Sequence, residues 1–176
     1  NFYNMNTYII ETERLRLREF NSTDGELIFE LLNSQGWLKY IGSRSIATIE
    51  DAVNYIETKL QKGYRESGFG FYLVELKATG VKTGMCGLVK REGLDDVDIG
   101  FALLPQYENK GYAYESSMAV IQYAKNKLKI NKLAAITMPS NLTSVKLLEK
   151  LGMKFDKKIS LPGDPEELFL YKMELE

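Results

Sequence analysis

A chain of 176 residues, 44% hydrophobic and 27% charged, is sized for one domain with a substantial core. A net charge of −1 argues against a general nucleic-acid binder. There is no histidine and one cysteine, which excludes Ser-His-Asp and Cys-His catalysis, His-ligated metals and any intrachain disulfide.

The opening residues 1–7 are polar and lack a signal-peptide pattern; they read as a disordered tail or an addition from expression. Arg14, Arg16 and Arg18 alternate with Leu15 and Leu17, which predicts a strand over 8–20. A helix over 23–33, capped by Ser22 or Thr23, comes next, then a short helical turn near Trp37–Ile41. Thr48 caps a longer helix, Ile49–Arg65, with Val53, Ile56 and Leu60 on one face. Strands are predicted near 69–77, 83–91 and 96–104. Cys86 lies in the second of these and reads as a small buried residue rather than a nucleophile. A lone cysteine suits a reducing compartment, so the expected location is cytoplasmic. No apolar run approaches the ~18 residues of a membrane span.

The second half alternates: helix 111–127, strand 132–138, helix 141–151, strand 153–161 and a last strand at 166–175. This order predicts one α/β domain over 1–176. Its sheet is mixed, mostly antiparallel, of about seven strands, with helices on both sides. No internal repeat or linker divides the chain.

Two junctions carry chemistry. In the first, the apolar run Ile99–Leu104 feeds Pro105-Gln106-Tyr107-Glu108-Asn109-Lys110-Gly111-Tyr112-Ala113, which opens a helix. The first helical N–H groups lack intrahelical partners and carry partial positive charge, which suits a pyrophosphate. Gly111 and Ala113 keep bulk away from that backbone, and Lys110 adds a cation. The same residues are also compatible with a plain strand–turn–helix junction. In the second, the run Leu133–Met138 is broken by Pro139 and Ser140 before an amphipathic helix with Leu142, Val145, Leu148 and Leu151 on one face. Gly152 stops that helix. Ligands gather at the carboxyl ends of strands in open α/β sheets.

Taken together, these residues resemble the GNAT (Gcn5-related) N-acetyltransferases, and the ribosomal-protein (RimJ/RimL-type) branch in particular. The family's Gln/Arg-x-x-Gly-x-Gly/Ala motif corresponds to Glu108-Asn109-Lys110-Gly111-Tyr112-Ala113, and its Asn-x-x-Ala/Ser…Gly-Phe motif to Asn141, Ser144, Gly152 and Met153. The opening Glu11-Thr12-Glu13-Arg14-Leu15-Arg16-Leu17-Arg18 is similar to the branch's first strand, so the resemblance covers residues 8–176. It implies a GNAT-like fold and acetyl-CoA as cosubstrate, with no metal. It further implies that backbone groups of Phe101, Ala102 and Leu103 bind the pantetheine arm, that Asn109, Lys110, Gly111, Tyr112 and Ala113 bind the pyrophosphate, and that Asn141 meets a pantetheine amide. Two positions depart from the pattern. Glu108 replaces the usual Gln or Arg, and Leu148 stands where many members have a Tyr that protonates the departing thiolate. The resemblance shifts that role to Ser144, one turn earlier on the same helix face. Ser144 also reads as a helix-start hydroxyl, and Asn141 as an N-cap.

Acetyl transfer to an amine is aminolysis of a thioester and needs no covalent enzyme intermediate. It needs a proton acceptor, oxyanion donors and a route for the thiolate. Asp98 is the candidate base. Period-2 alternation would put Asp96 and Asp98 on one face, where they could bind a cationic acceptor; an acidic solvated turn over 95–98 is the competing reading. Trp37, Tyr40, Arg44, Tyr64, Phe69 and Phe71 are the aromatic and cationic side chains available to the acceptor. Trp37, Arg44 and Asp96 are the expected substrate-binding set, although aromatics there also read as core. The expected acceptor is a protein N-terminus, such as a ribosomal protein's, or a small amine. Many members of the family dimerise, so a homodimer is compatible. No nucleic-acid or membrane partner is expected. An acyl-CoA-binding sensor with little turnover is the alternative. A nucleotide-binding α/β protein is disfavoured, because neither Gly-x-x-x-x-Gly-Lys-Ser/Thr nor Gly-x-Gly-x-x-Gly occurs.

Overall fold

Leu15 and Leu17 are fully buried while Arg16 between them is half-exposed, so the Arg/Leu alternation does form a strand. That strand is shorter than expected. Thr12 closes a tight turn, its N–H donating to the Leu15 carbonyl and its hydroxyl accepting from the Leu15 N–H. The predicted strand over 8–20 therefore becomes a hairpin of β1 (Tyr8–Glu11) and β2 (Leu15–Glu19), and the sheet has eight strands rather than about seven. The computed structural model describes residues 7–176. The tail expected over 1–7 lies, apart from Thr7, outside the described residues.

The helices α1 (Gly25–Leu32) and α2 (Gln35–Tyr40) lead to α3 (Ile49–Tyr55), which begins with a reciprocal capping box between Thr48 and Asp51. A π-helical segment over Ile56–Leu60 joins α3 to α4 (Gln61–Ser67), which ends on left-handed Gly68. Strands β3 (Phe71–Leu76), β4 (Lys82–Val89) and β5 (Val97–Leu103) form an antiparallel meander. Then come α5 (Tyr112–Asn126), β6 (Lys132–Thr137), α6 (Leu142–Lys150), β7 (Lys154–Ile159) and β8 (Leu168–Glu174). The sheet order is β1-β2-β3-β4-β5-β6-β8-β7, and only the β5–β6 pair is parallel.

The pleat sends alternate side chains into two cores. Tyr72, Val74, Cys86, Leu88 and Ile99 join Val120, Ile121 and Ala124 of α5 on one face. Leu73 and Met85 join α1, α2 and the π segment on the other. Leu142, expected on the buried face of α6, is instead 64% exposed. It is the first residue of the helix, and the stripe that reaches the core starts a turn later, with half-buried Val145 and then Leu148 and Leu151.

A buried charge network ties the N-terminal half together. Both terminal nitrogens of Arg18 donate to Asp24, each at 2.8 Å, and its Nε donates to Glu75 at 2.8 Å. Lys82 reaches Asp24 at 2.7 Å, and the Tyr8 hydroxyl donates to Glu75 at 3.0 Å. Four strands and the start of α1 are thus cross-linked. Burial alone would raise the Asp24 carboxyl, but hydrogen bonds from Arg18 and Lys82 outweigh it and hold it below the usual carboxylate range. Replacing Asp24 with Ala strands a buried guanidinium, so urea denaturation should register a loss of about 3–5 kcal/mol. The sign with pH follows from the depressed folded value: this stabilisation is present above the unfolded Asp value, near 3.9, and fades as pH falls through the folded one.

Candidate active site

The parallel pairing of β5 with β6 lasts two residues, with Val97 beside Leu133 and Asp98 beside Ala134. Beyond Asp98 the strands part. From Ile99 to Leu103, β5 is paired to β4 alone, so alternate backbone groups on its other edge face the gap. That gap is the mouth of a cleft of about 490 Å³. Ile99–Ala102 form one wall, and Ala135–Met138 with Asn141, Ser144 and Leu148 the opposite one. Phe101 and Ala102 line it directly; Leu103 lies at the end of the same free edge, paired with Gly84 on the other side.

The carboxyl end of β5 runs through a short 3₁₀ turn, Pro105–Tyr107, into the loop that opens α5. Asn109 and Gly111 are both left-handed, with φ of 60° and 83°. Gly111 occupies the N-cap position, where it offers no side chain to cap the helix. The N–H groups of Tyr112 and Ala113, in the first turn, therefore remain for an external acceptor. Asn109, Lys110 and Gly111 are exposed and Tyr112 and Ala113 half-buried. This loop lies off the end of β5, outside the cleft walls themselves.

Asn141 is the N-cap of α6; its Oδ1 accepts from the Ser144 N–H at 3.3 Å. The Ser144 hydroxyl is half-buried in the cleft wall and makes no hydrogen bond among the described residues. Leu148, one turn on, is 1% exposed and presents only an apolar surface.

Asp98 sits in the wall at the point of divergence. It is 1% exposed, its Oδ2 accepts from Arg91 Nε at 2.9 Å, and its Oδ1 has no partner among the described residues. Burial pushes its carboxyl up to about 6, with Arg91 opposing part of the shift. The solvated-turn reading thus does not describe Asp98. Asp96 is placed elsewhere: it lines a separate hollow of about 90 Å³ and lies 3.8 Å from Lys172. The expected Asp96–Asp98 face does not form on the cleft, because Asp96 precedes β5 and belongs to the turn over 91–96.

The third wall comes from the N-terminal half. Trp37 and Arg44 line it, with Tyr40, Tyr55 and Phe71. The indole N–H of Trp37 is buried without a partner among the described residues. Tyr64 and Phe69, also considered for the acceptor, belong to the core; the Tyr64 hydroxyl donates to the Phe71 carbonyl and accepts from the Phe20 N–H. Residues that sequence reading missed are Arg91, Tyr55, and Asp164 and Glu166 from the β7–β8 connection. Opposite charges seven residues apart across a hairpin turn could have signalled Arg91 beside Asp98. Nothing local marks the other three.

With this geometry in hand, comparison with known proteins is direct. A family profile described as "Acetyltransferase (GNAT) domain" matches residues 14–154. An uncharacterized N-acetyltransferase of Bacillus subtilis, YnaD, is 30% identical over 145 residues, covering 82% of each chain. A GNAT-family acetyltransferase structure from Bacillus anthracis superposes with a TM-score of 0.77 at 27% identity, covering 94% of this chain and 97% of its own. RimL, a ribosomal L7/L12 α-N-protein acetyltransferase solved with coenzyme A, shares the fold at TM-score 0.81 and 14% identity, covering 96% and 98%. The parted strands, the uncapped left-handed turn and these relatives agree: the chain belongs to the GNAT acetyltransferase family and is an acetyl-CoA-dependent acyltransferase.

Proposed function

We propose that this enzyme transfers acetyl from acetyl-CoA to a primary amine by direct attack, inside the cleft between β5 and β6. The observation that carries this reading is the divergence after Asp98, which puts a buried carboxylate and a free hydroxyl, Ser144, on the walls of one cleft. The free edge of β5 at Phe101, Ala102 and Leu103 takes the pantetheine arm as a further strand would. The exposed loop from Asn109 to Ala113 takes the pyrophosphate, and Asn141 contributes at the start of α6.

In the reaction, the neutral amine attacks the thioester carbonyl carbon and a C–N bond forms. Backbone N–H groups of β5 face the developing oxyanion. The ammonium proton passes to Asp98, directly or through one water; the C–S bond breaks, Ser144 gives its proton to the departing thiolate, and the proton taken up by Asp98 restores the Ser144 hydroxyl through water. A carboxyl raised to about 6 is ionised at neutral pH, yet basic enough to accept that proton. Trp37 and Arg44 contact the acceptor. Asp96 is left out of the acceptor site, because it faces Lys172 in a separate hollow.

For the acceptor, the cleft combines aromatic walls (Trp37, Tyr40, Tyr55) with both charge signs: Arg44 and Arg91 against Asp98, Asp164 and Glu166. This mixture suits an amine beside polar groups, as in a peptide N-terminus or a small zwitterionic amine. The name of the RimL neighbour supports the peptide. The lone buried cysteine is consistent with cytoplasmic work, and no described helix is long and apolar enough to cross a membrane. The sensor reading draws on Leu148, which brings no acid to the thiolate.

Calorimetry should show micromolar acetyl-CoA binding, roughly −8 kcal/mol, and none for ATP. Gly111→Trp should abolish it, because a side chain there is strained at φ 83° and its Cβ would meet Arg14 at 3.1 Å. Asp98→Asn should lower kcat about 10²–10⁴-fold and erase the rising limb of the pH–rate profile near pH 6. Because burial disfavours the ionised form in the folded state, Asp98 costs stability progressively as pH rises from the unfolded value, near 3.9, through about 6, and the cost is complete above that, so the Asn variant should melt no lower than wild type at pH 8. Ser144→Ala should slow turnover while acetyl-CoA affinity holds. Unchanged turnover would remove Ser144 from the mechanism, and absent turnover in wild type across an amine panel would favour the sensor.

A further inference from the structure

The turn between β1 and β2 reaches across the molecule to the phosphate loop. Arg14 Nε pairs with Glu115 Oε1 at 2.7 Å, and the Arg14 backbone N–H donates to Glu115 Oε2 at 2.9 Å. The Thr12 hydroxyl donates to the same Oε2 at 2.5 Å. From this anchor the Arg14 guanidinium extends over the loop: Nη1 donates to the Lys110 carbonyl at 2.9 Å, and the group lies 4.6 Å from the centre of the Tyr112 ring. Its Nη2 makes no hydrogen bond among the described residues and sits 3.1 Å from where a Cβ on Gly111 would be. One side chain therefore touches three successive residues of the loop that opens α5.

The charge arrangement gives this contact a consequence. Glu115 is in the first turn of α5, where a carboxylate suits the helix dipole but opposes a bound phosphate. Burial would raise its carboxyl, yet the Thr12 and Arg14 hydrogen bonds prevail and keep it ionised. The anion next to the phosphate loop is thus permanent, and Arg14 is the cation that offsets it. We infer that Arg14 is a positioning residue for cosubstrate binding: it holds the loop from Lys110 to Tyr112 in its left-handed form and cancels the field of Glu115 at the pyrophosphate. This rests on the acetyl-CoA reading above and adds a residue outside both motifs.

Calorimetry with acetyl-CoA and with S-acetylpantetheine, which keeps the thioester arm but lacks the phosphates, separates this role from mere structural support. Arg14→Gln should weaken acetyl-CoA about tenfold or more, since a charge-assisted clasp is lost and an anion is uncovered. S-acetylpantetheine binding should stay as in wild type. Arg14→Lys should recover part of the loss, and Arg14→Gln/Glu115→Gln should bind acetyl-CoA more tightly than Arg14→Gln alone. Wild-type affinity in Arg14→Gln, or equal losses for both thioesters, would overturn the inference. If wild type binds neither thioester, the cosubstrate reading itself falls. Wild-type binding with an indifferent Arg14→Gln removes only Arg14.

Discussion

Everything functional depends on β5 and β6 pairing for two residues and then separating. Backbone N–H and C=O groups are costly to leave unpaired away from water. A continuous parallel ladder would satisfy them and close the cleft. The chain instead keeps the pair only at Val97 and Asp98, then lets Asn141, Ser144 and Leu148 of α6 face the vacated edge. The free edge can take a further strand-like partner because it lacks its neighbour strand. It tolerates exposure because it is short and opens to solvent or ligand rather than to apolar side chains.

That opening has to be held against collapse, and the two cores do so from opposite faces. On one, α5 packs Val120, Ile121 and Ala124 onto the antiparallel meander. On the other, α1, α2 and the π segment cover Leu73 and Met85. The buried Arg18–Asp24–Glu75 network lies away from the cleft and contributes no chemistry. Its desolvation cost is large, so it is weak evidence of net stability. What it does accomplish is to fix the relative register of β1 to β4 and the start of α1, and α1 shares its core with the third wall of the cleft.

Asp98 shows the opposite bargain. A carboxylate with one cationic partner and an unmatched oxygen is a poor structural element, and burial drives its proton affinity up. Groups of this kind persist where their reactivity is used. Across the same sheet, hydrogen bonds from Thr12 and Arg14 outweigh burial and hold the Glu115 carboxyl below the usual carboxylate range. Burial thus raises one carboxylate, and donors lower another.

Much of the architecture was legible from local signals. Arg/Leu alternation located β2, the Thr48 cap began α3, and Gly111 and Gly152 marked where helices start and stop. The motif residues Gly111, Ala113, Asn141 and Ser144 stand at helix starts, where backbone geometry is set by near neighbours in sequence. The Thr12 turn was missed because a three-residue interruption does not disturb an alternating Arg/Leu pattern. Asp96 was misplaced because alternation holds only inside a strand, and β5 begins one residue later. By itself the sequence determined most of the elements, the family and the left-handed turn that opens α5, since each is encoded in contiguous residues. Only the tertiary structure decided the rest: where β5 parts from β6, that Arg91 partners Asp98, that Tyr55, Asp164 and Glu166 share its cleft, and that Arg14 clasps Glu115 from 101 residues away. Those facts arise from packing between segments distant in sequence, and no local propensity carries them.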